Sequence, residues 1–309
     1  MKSTRRKFIQ TTLGASSLAL AGVPSFGAVS QSDQMIKKAI PSSGEKLTAV
    51  GIGTSRRFDI GREKASERSV LKEVLTEFPK LGGQLVDTAP SYGKAELVIG
   101  ELVEEIGNRD DLFIATKVRT ETLADGKKEI EASFERLRVD KIDMIEVHNL
   151  VGINQMLPYL RDLRAAGRIR YIGASTSSER QHADFLKMME KEELDFIQVN
   201  YSLDDRVAAD SILPMAKDRN MGVLVNLPYG RGKLFSAVGD RPLPEWAAEF
   251  DAKSWGQFFL KYIISHPAVT CAIPGTAKMK YLTDNLGAAM GRLPNEDHRK
   301  KMEEFYDGL

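Results

Sequence analysis

Residues 112–147 read LFIATKVRTETLADGKKEIEASFERLRVDKIDMIEV, a stretch that contains a complete strand, helix and strand pattern. Its first segment, Leu112–Thr116, and its last, Ile142–Val147, are short runs in which apolar residues occupy both faces of an extended chain. Between them, Glu129–Leu137 carries apolar residues at helical spacing. Strands that are apolar on both faces and joined through a helix are typical of a parallel sheet covered by helices.

The same alternation continues along most of the chain. Amphipathic segments of helix length, for example Lys94–Ile106 and Ile153–Ala166, separate the strand-like runs. Eight parallel strands alternating with helices over about 275 residues predict a closed α/β barrel, the (β/α)8 or TIM-barrel fold. The predicted strands are Thr48–Ile52, Gln84–Asp87, Leu112–Thr116, Ile142–Val147, Ile169–Ala174, Asp195–Val199, Gly222–Val225 and Val269–Ile273.

A doubly wound open sheet is the alternative fold, and its dinucleotide-binding signature is incomplete in this chain. The segment Gly51–Arg56 begins like G-x-G-x-x-G but lacks the third glycine, and no helix pattern follows at once. Ahead of the first strand, Ile36–Ile40 and Lys46–Val50 flank a Pro-Ser-Ser-Gly turn and predict a hairpin that plugs the barrel floor. After the eighth strand, Tyr281–Ala289 and Glu296–Tyr306 predict the closing helix and one extra C-terminal helix.

The composition is that of a globular protein with enough apolar residues for a full core, since 42% of the 309 residues are hydrophobic and 28% are charged. Lys and Arg number 44 against 43 Asp and Glu, so the formal net charge of +1 gives no reason to expect nucleic acid or an anionic membrane as a partner. The single cysteine, Cys271, excludes an intramolecular disulfide and a cysteine-based metal site. His182, His266 and His298 lack partners at metal-binding spacing, so no metal is expected.

The first 27 residues differ from the rest because they contain four basic residues and no acidic one. Within them Thr4–Ile9 reads TRRKFI, which resembles the twin-arginine export motif, and the weakly apolar run Leu13–Val23 follows. That run is too short for a permanent membrane span, which needs about 20 apolar residues. We expect an export signal at residues 1–27, a linker at 28–34 and one barrel domain at 35–309. The expected partner is the twin-arginine export machinery, and the expected location is periplasmic or otherwise exported.

Four polar residues fall at or just after the carboxyl ends of successive strands, where barrel enzymes have their active sites. Asp87 ends the second strand and Tyr92 follows it, while Lys117 and His148 come at the ends of the third and fourth. A buried ammonium favours a phenolate, so we expect Lys117 to lower the pKa of Tyr92, with Asp87 keeping Lys117 charged. His148 would orient a carbonyl oxygen toward Tyr92. This set can protonate an alkoxide, but the hydride has to come from a cofactor.

These residues lie in three short motifs, DTAPSYG at 87–93, TK at 116–117 and EVH at 146–148. In this order and spacing they resemble the aldo-keto reductases, a family with a catalytic tetrad of Asp, Tyr, Lys and His on a (β/α)8 barrel. The resemblance covers residues 35–309. It implies a nicotinamide cofactor across the barrel mouth, hydride transfer to a small aldehyde or ketone, and no metal. The implied catalytic residues are Asp87, Tyr92, Lys117 and His148.

The resemblance also assigns cofactor-binding residues, position by position. Ser175 and Gln198 match residues that hold the nicotinamide carboxamide, and Asn285 matches the asparagine that reads the adenine. Asn226 stands where the family usually has a tyrosine that stacks on the nicotinamide. Lys278 is available for a 2′-phosphate, which favours NADPH, with NADH as the alternative. The full set is Gly53, Thr54, Ser175, Gln198, Pro228, Gly230, Arg231, Gly232, Pro274, Gly275, Thr276, Lys278 and Asn285.

The sequence leaves two other functions open. One is an exported, cofactor-bound sensor or regulatory barrel with little turnover, because the periplasm has no obvious supply of NADPH. The other is a lyase or aldolase that forms a Schiff base through Lys117. The carbonyl substrate and the oligomeric state cannot be read, since specificity in such barrels lies in variable loops, here Arg119–Lys128, Asn149–Gln155 and Leu234–Phe250.

Overall fold

Eight parallel strands form one sheet in which each strand pairs with the next one along the chain. The computed structural model describes residues 34–309, and the export signal predicted at residues 1–27 lies outside the described residues. An antiparallel hairpin of β1 (Lys37–Ala39) and β2 (Lys46–Thr48) precedes the sheet. The parallel strands are β3 (Ile52–Gly53), β4 (Leu85–Asp87), β5 (Phe113–Val118), β6 (Ile142–His148), β7 (Ile169–Ser175), β8 (Phe196–Asn200), β9 (Gly222–Asn226) and β10 (Cys271–Ala272).

A helix follows each parallel strand, as the amphipathic segments predict. Their apolar faces pack against the outside of the sheet and form the larger of two buried apolar clusters. The helices are α1 (Ala65–Lys80), α2 (Ala95–Ile106), α3 (Leu123–Leu137), α4 (Ile153–Ala165), α5 (His182–Lys191), α6 (Ile212–Asp218), α7 (Lys233–Val238), α8 (Trp255–Ile264), α9 (Met279–Gly287) and α10 (Glu296–Asp307).

The barrel closes between β3 and β10 through a few backbone contacts. Gly51 N donates to Ala272 O at 2.8 Å, and Gly53 N donates to Pro274 O at 3.0 Å. A Cβ atom on Gly53 would lie 2.6 Å from Ile273 O, so a glycine is needed for this close approach. With the circle closed in this way, the prediction of a (β/α)8 barrel is confirmed.

The first predicted strand, Thr48–Ile52, is wrong as a single element. Residues 46–48 pair with β1 in the hairpin, whereas residues 52–53 pair with β4 in the barrel. Thr48 is held apart from the barrel ladder because its hydroxyl donates to Gly82 O at 2.5 Å and its N–H to Gln84 Oε1 at 3.2 Å. The apolar run at residues 48–52 is therefore divided between the hairpin and the barrel sheet.

The barrel interior is packed with apolar side chains up to the level of the mouth. Ile40 and Leu47 of the hairpin are fully buried and belong to this interior cluster, so the hairpin fills the floor as predicted. At the other end, the carboxyl ends of the strands meet in a mouth where polar side chains gather. Within residues 34–309, no helix is long and apolar enough to cross a membrane. The other members of the interior cluster are Leu85, Phe113, Ala115, Met144, Tyr171, Phe196, Leu224, Cys271 and Ile273.

Candidate active site

Asp87 and Lys117 form a buried ion pair at the mouth of the barrel. β4 ends at Asp87 and Lys117 lies near the end of β5, so two neighbouring parallel strands present these side chains to the same space. Lys117 Nζ lies 2.5 Å from Asp87 Oδ1 and 3.0 Å from the carbonyl oxygen of Thr88. The exposed fraction is 1% for the Lys117 side chain and 3% for that of Asp87, so water does not screen the pair.

Tyr92 and His148 complete the group predicted from the sequence. In the turn after β4, Tyr92 N donates to Ala89 O at 3.0 Å, which brings the ring back over the strand end. Lys117 Nζ lies 5.5 Å from the centroid of the Tyr92 ring. The Tyr92 and His148 rings meet edge to face with their centroids 6.3 Å apart. The structure thus brings all four predicted side chains together.

A fifth ionisable side chain, Glu146, lies in the same space and was not assigned a role from the sequence. It is fully buried, and its Oε2 lies 3.7 Å from Lys117 Nζ. Neither of its carboxyl oxygens has a hydrogen-bond partner in the part of the chain that the structure describes. Gly173 on β7 leaves room for it, since a Cβ there would lie 3.0 Å from Glu146 Cγ. The signal was available: Glu146 precedes His148 by two residues, and alternate residues of a strand share a face.

The charges in the site follow from burial and from one positive group. Burial raises the pKa of Asp87, although Lys117 opposes that shift. Burial alone would lower the pKa of Lys117, but the surrounding negative groups, Asp87 first, outweigh it and leave that pKa raised. Burial also raises the pKa of Glu146 to about 8, with Lys117 opposing and Asp87 adding to the rise. At neutral pH Lys117 is an ammonium ion and Glu146 is mostly protonated.

Tyr92 and His148 are both uncharged at neutral pH. Burial, followed by the charges of Lys117 and Arg119, lowers the pKa of His148 to about 3. Burial raises the pKa of Tyr92 although the charge of Lys117 lowers it, so the expected net decrease is wrong. The error arises because the loss of water around the phenol outweighs the nearby cation. A protonated phenol is the form that can donate a proton.

Comparison with known proteins decides the family. Residues 49–306 match the model of the aldo/keto reductase family. The chain belongs to this family. The resemblance drawn from the tetrad motifs is thereby confirmed, and the protein is an enzyme of the aldo-keto reductase type.

Relatives of this aldo/keto reductase include two proteins of Bacillus subtilis and a solved structure from Klebsiella pneumoniae. Aldo-keto reductase YhdN of Bacillus subtilis is 31% identical over 211 residues, which cover 63% of this chain and 62% of YhdN, less than two thirds of its length. The uncharacterized oxidoreductase YqkF of the same organism is 24% identical over 310 residues, which cover 87% of this chain and 96% of YqkF. An aldo/keto reductase from Klebsiella pneumoniae, solved in complex with NADP and acetate, shares the fold, with a TM-score of 0.72 and 22% identity over 85% of this chain and 93% of that one.

At the ends of the strands β6 to β9 of this aldo/keto reductase, several polar atoms lack a partner within the described residues. Ser175 pairs in register with His148 on β6 and with Gln198 on β8. Ser175 Oγ, His148 Nδ1 and the Oδ1 atoms of Asn200 and Asn226 are buried without a hydrogen-bond partner in residues 34–309. Such atoms are costly unless a ligand or water meets them, so this cluster fits a polar group such as a carboxamide. The sequence predicted Ser175 and Gln198 here but not Asn200.

Three of the predicted cofactor-binding side chains already make hydrogen bonds to other residues of the protein. Thr54 Oγ1 donates to Asp87 O at 2.9 Å. Thr276 Oγ1 accepts from Asn285 Nδ2 at 2.9 Å, and Asn285 Oδ1 accepts from the Tyr229 hydroxyl at 2.6 Å. These bonds brace the strand ends and connect Tyr229 to α9 and to the loop after β10. Thr54, Thr276 and Asn285 would have to exchange them to contact a nucleotide with these atoms. Gly53 is used for barrel closure.

The loop after β9 has a backbone shape suited to anions. Gly230, Arg231 and Gly232 have φ angles of +54°, +58° and +94°, so three successive residues adopt left-handed or related conformations. The two glycines have no side chains, so a ligand can approach the backbone N–H groups of this loop closely. Arg231 is exposed at this turn, and the buried Pro228 precedes it.

The loop after β10 supplies a second open edge beside the first. Pro274 is buried and Gly275 is exposed. Arg57 reaches across from the loop after β3, since its Nε would lie 3.4 Å from a Cβ on Gly275. Lys278 is exposed at the start of α9. Arg57 was not predicted, because its loop is distant in the sequence from residues 274–278. Within residues 34–309, no group of three or more His, Cys, Asp or Glu side chains is arranged to hold a metal ion.

Proposed function

We propose that this protein reduces an aldehyde or ketone to an alcohol with NADPH and that Tyr92 donates the proton. The proposal is carried by one observation: Tyr92, the charged Lys117 and the neutral His148 converge on one space at the barrel mouth. Family membership supports the reaction class. Relatives from Klebsiella pneumoniae solved with NADP or NADPH support the cofactor.

The site residues divide the work of the reduction among them. His148 is neutral, so it can donate a ring N–H to a carbonyl oxygen and hold that oxygen near the Tyr92 hydroxyl. When bound, the cofactor supplies the hydride that the carbonyl carbon receives. Tyr92 transfers its proton to the carbonyl oxygen, and the ammonium group of Lys117 stabilises the phenolate that is left. Asp87 keeps Lys117 charged and in place through the 2.5 Å bond.

The cofactor would be held at two places in the mouth. We assign the carboxamide to Ser175, Gln198 and Asn200, because two of these three side chains carry buried oxygens without an internal partner in the described part of the chain. We assign the phosphates to two loops: 228–232 carries the positive φ angles and the exposed Arg231, and 274–278 carries the exposed Lys278. Arg57 and Lys278 are the candidates for a 2′-phosphate, which supports NADPH over NADH.

The electrostatics argue against the Schiff-base lyase. A lysine nucleophile has to be an uncharged amine, so its pKa has to be lowered. Burial would lower the pKa of Lys117, but the neighbouring acidic groups, Asp87 first, more than offset that effect, and the pKa is raised. The other alternative, a cofactor-bound sensor or regulatory barrel, differs from the enzyme only in having little turnover. Measuring the rate of NADPH oxidation therefore distinguishes the two.

The test is NADPH oxidation by the full chain with a panel of aldehydes and ketones. Tyr92→Phe is expected to lower kcat by about 10²–10⁴-fold, the usual contribution of a general acid. In a fluorescence titration, Tyr92→Phe is expected to bind NADPH as tightly as the native chain does. Both proteins are expected to bind NADH more weakly than NADPH. Tyr159→Phe, on the outer helix α4, is the matched control and should keep full activity. Full activity of Tyr92→Phe contradicts the assignment, and tight NADPH binding without turnover of any carbonyl favours the sensor.

We also propose that residues 1–27 direct export through the twin-arginine machinery, with a periplasmic or otherwise exported enzyme as the result. The support is the sequence itself, in which Arg5 and Arg6 precede Phe8 and a weakly apolar run. This route suits a barrel that folds around its cofactor before export.

A further inference from the structure

Most arginines of the described chain are neutralised by a neighbour, and those that are not gather at the mouth. Six have neither a carboxylate within 4.0 Å nor a side-chain hydrogen bond in residues 34–309. Five of these six lie in loops that follow barrel strands, whereas the sixth follows α6 at the other end of the barrel. The five are Arg56, Arg57, Arg119, Arg180 and Arg231, and the sixth is Arg219.

Two of these arginines lie on the cofactor side, and Arg119 does not. Arg231 lies in the loop after β9, and Arg57 lies against Gly275 after β10. Arg119 follows β5, which is four strands away from β9 in a barrel of eight. It therefore lies across the mouth from the loops assigned to the cofactor phosphates. Its own strand is between β4, which leads to Tyr92, and β6, which ends at His148.

The backbone directs Arg119 toward the reacting groups. It comes two residues after Lys117 and directly follows β5, and since alternate residues of an extended chain share a face, a chain that leaves the strand extended places Arg119 on the side of Lys117. The loop is fixed on both sides: Arg119 N donates to Glu129 Oε2 at 2.7 Å, and a Cβ on Gly152 would lie 2.1 Å from Thr120 O. The second contact packs the loop after β5 against the loop that follows His148. The contribution of Arg119 to the lowered pKa of His148 agrees with this placement.

We propose that Arg119 binds a carboxylate group of the substrate, so that the preferred substrate is an oxo acid or another carbonyl compound that carries an acid group. A guanidinium ion offers a planar fork of donors that matches a carboxylate. This assignment rests on the proposed carbonyl reduction, because it takes the carbonyl to lie between Tyr92 and His148. It gives a use to an exposed cation that has no partner in residues 34–309.

The test compares two substrate pairs that differ only in an acid group, with NADPH and the full chain. The pairs are 4-carboxybenzaldehyde with its methyl ester and succinic semialdehyde with its methyl ester. The native chain is expected to show a kcat/KM about tenfold or more higher for the acid of at least one pair, the equivalent of one charge-assisted hydrogen bond. Arg119→Met should abolish that preference mainly by raising KM for the acids, so that acid and ester of each pair have similar kcat/KM.

Two further variants make the result specific. Arg119→Lys should recover part of the preference, because it keeps the charge but loses the two-pronged geometry. Arg219→Met removes an equally unpartnered arginine at the other end of the barrel and should leave the preference as it is. Equal kcat/KM for acids and esters in the native chain, or an acid preference that survives in Arg119→Met, overturns the proposal.

A binding readout keeps this result separate from the proposed function. Benzoate and benzamide are compared as ligands of the NADP⁺ complex by the shift in Tm that binding produces. Benzoate should stabilise the native chain more than Arg119→Met, and benzamide should affect both equally. If benzoate stabilises the native chain more than Arg119→Met while no carbonyl is reduced, the anion site is supported and the proposed carbonyl reduction is contradicted. If carbonyls are reduced but benzoate and benzamide shift the native chain and Arg119→Met alike, only the Arg119 proposal falls.

Discussion

Glu146 shares Lys117 with Asp87, although one carboxylate is enough to balance one ammonium ion. Asp87 is the closer of the two, at 2.5 Å from Lys117 Nζ against 3.7 Å for Glu146. Coulomb attraction therefore favours ionisation of Asp87 first. With Glu146 protonated, the buried group of three is neutral, which lowers the cost of keeping it away from water.

This arrangement predicts a pH-dependent effect of Glu146→Gln on stability. The pKa of Glu146 is about 8 in the folded protein against an ordinary 4.5, so between these pH values the folded state holds a proton that the unfolded state has lost. Stability contributed in this way falls as pH rises. The free energy of unfolding of Glu146→Gln relative to the native chain should rise between about pH 4.5 and about pH 8 and then level off. The total rise is up to about 5 kcal/mol at 1.36 kcal/mol per pKa unit, measured by urea denaturation.

The matched control for this prediction is Glu96→Gln. Glu96 is 1% exposed, but its carboxylate accepts from Arg136 Nε at 2.7 Å and from Thr116 Oγ1 at 2.5 Å. Replacing one member of a buried, bonded pair is destabilising, so this variant should lose stability where Glu146→Gln gains it. Stability curves for Glu146→Gln and the native chain that run parallel from pH 4.5 to pH 8 would show that the pKa of Glu146 is not raised.

For individual residues of the site, the position in the barrel could be predicted from the sequence, but the surroundings of each side chain could not. Asp87, Lys117 and His148 could be identified because they lie at strand ends, and the carboxyl ends of all strands of a barrel meet at one mouth. The direction of the pKa shift of Tyr92 depends on how much water the fold removes, which no spacing reveals. The internal bonds of Asn285 are hidden from sequence reasoning for the same reason.

Among the elements, helix α10 depends on polar contacts for its attachment to the barrel. Met302 is its single fully buried residue. Arg299 Nη2 donates to the Tyr201 hydroxyl at 2.5 Å, and its Nη1 donates to Ser265 Oγ at 2.9 Å. The guanidinium carbon also lies 4.2 Å from the centroid of the Tyr262 ring. Arg299 thus joins α10 to the end of β8 and to α8.

Arg299→Met should therefore weaken the docking of α10. It leaves the buried Tyr201 oxygen without its donor, at a cost of about 1–3 kcal/mol. Tm should fall by about 2–4 °C per kcal/mol, and amide hydrogen exchange should rise first in residues 296–307. Lys300→Met, an exposed change on the same helix, is the control and should stay within about 0.5 kcal/mol of the native chain. A Tm for Arg299→Met equal to that of the control would contradict this role.

The existence and type of most of these elements could be predicted, but α7 (Lys233–Val238) overlaps a segment that was predicted as a loop, and the split at residues 48–52 could not be predicted. The apolar run at 48–52 looks like one strand because residues of two sheets follow each other without an intervening polar turn. The split becomes clear only from the hydrogen bonds that Thr48 makes to residues 82 and 84.

For the whole molecule, eight alternations of strand and helix together with an incomplete dinucleotide-binding signature were enough to favour a barrel over an open sheet. The way in which the barrel closes could not be predicted from the sequence, since it depends on how closely Gly53 approaches Ile273. The side chains that we propose as anion ligands could not be predicted either, because Arg57 and Arg119 come from loops that only the closed barrel brings to one mouth.

Export also concerns the whole molecule, because the proposed signal at residues 1–27 acts on the barrel that follows it. In a bacterium with the twin-arginine machinery, the full chain should appear in the periplasmic fraction, detected by immunoblot. Changing Arg5→Lys together with Arg6→Lys keeps the charge but removes both guanidinium groups, so the protein should stay in the cytoplasm. Lys2→Arg lies outside the motif and should be exported normally. NADPH-dependent activity assayed in each fraction should follow the protein, and equal export of the paired-lysine variant would remove the twin-arginine assignment while leaving the chemistry of the barrel untouched.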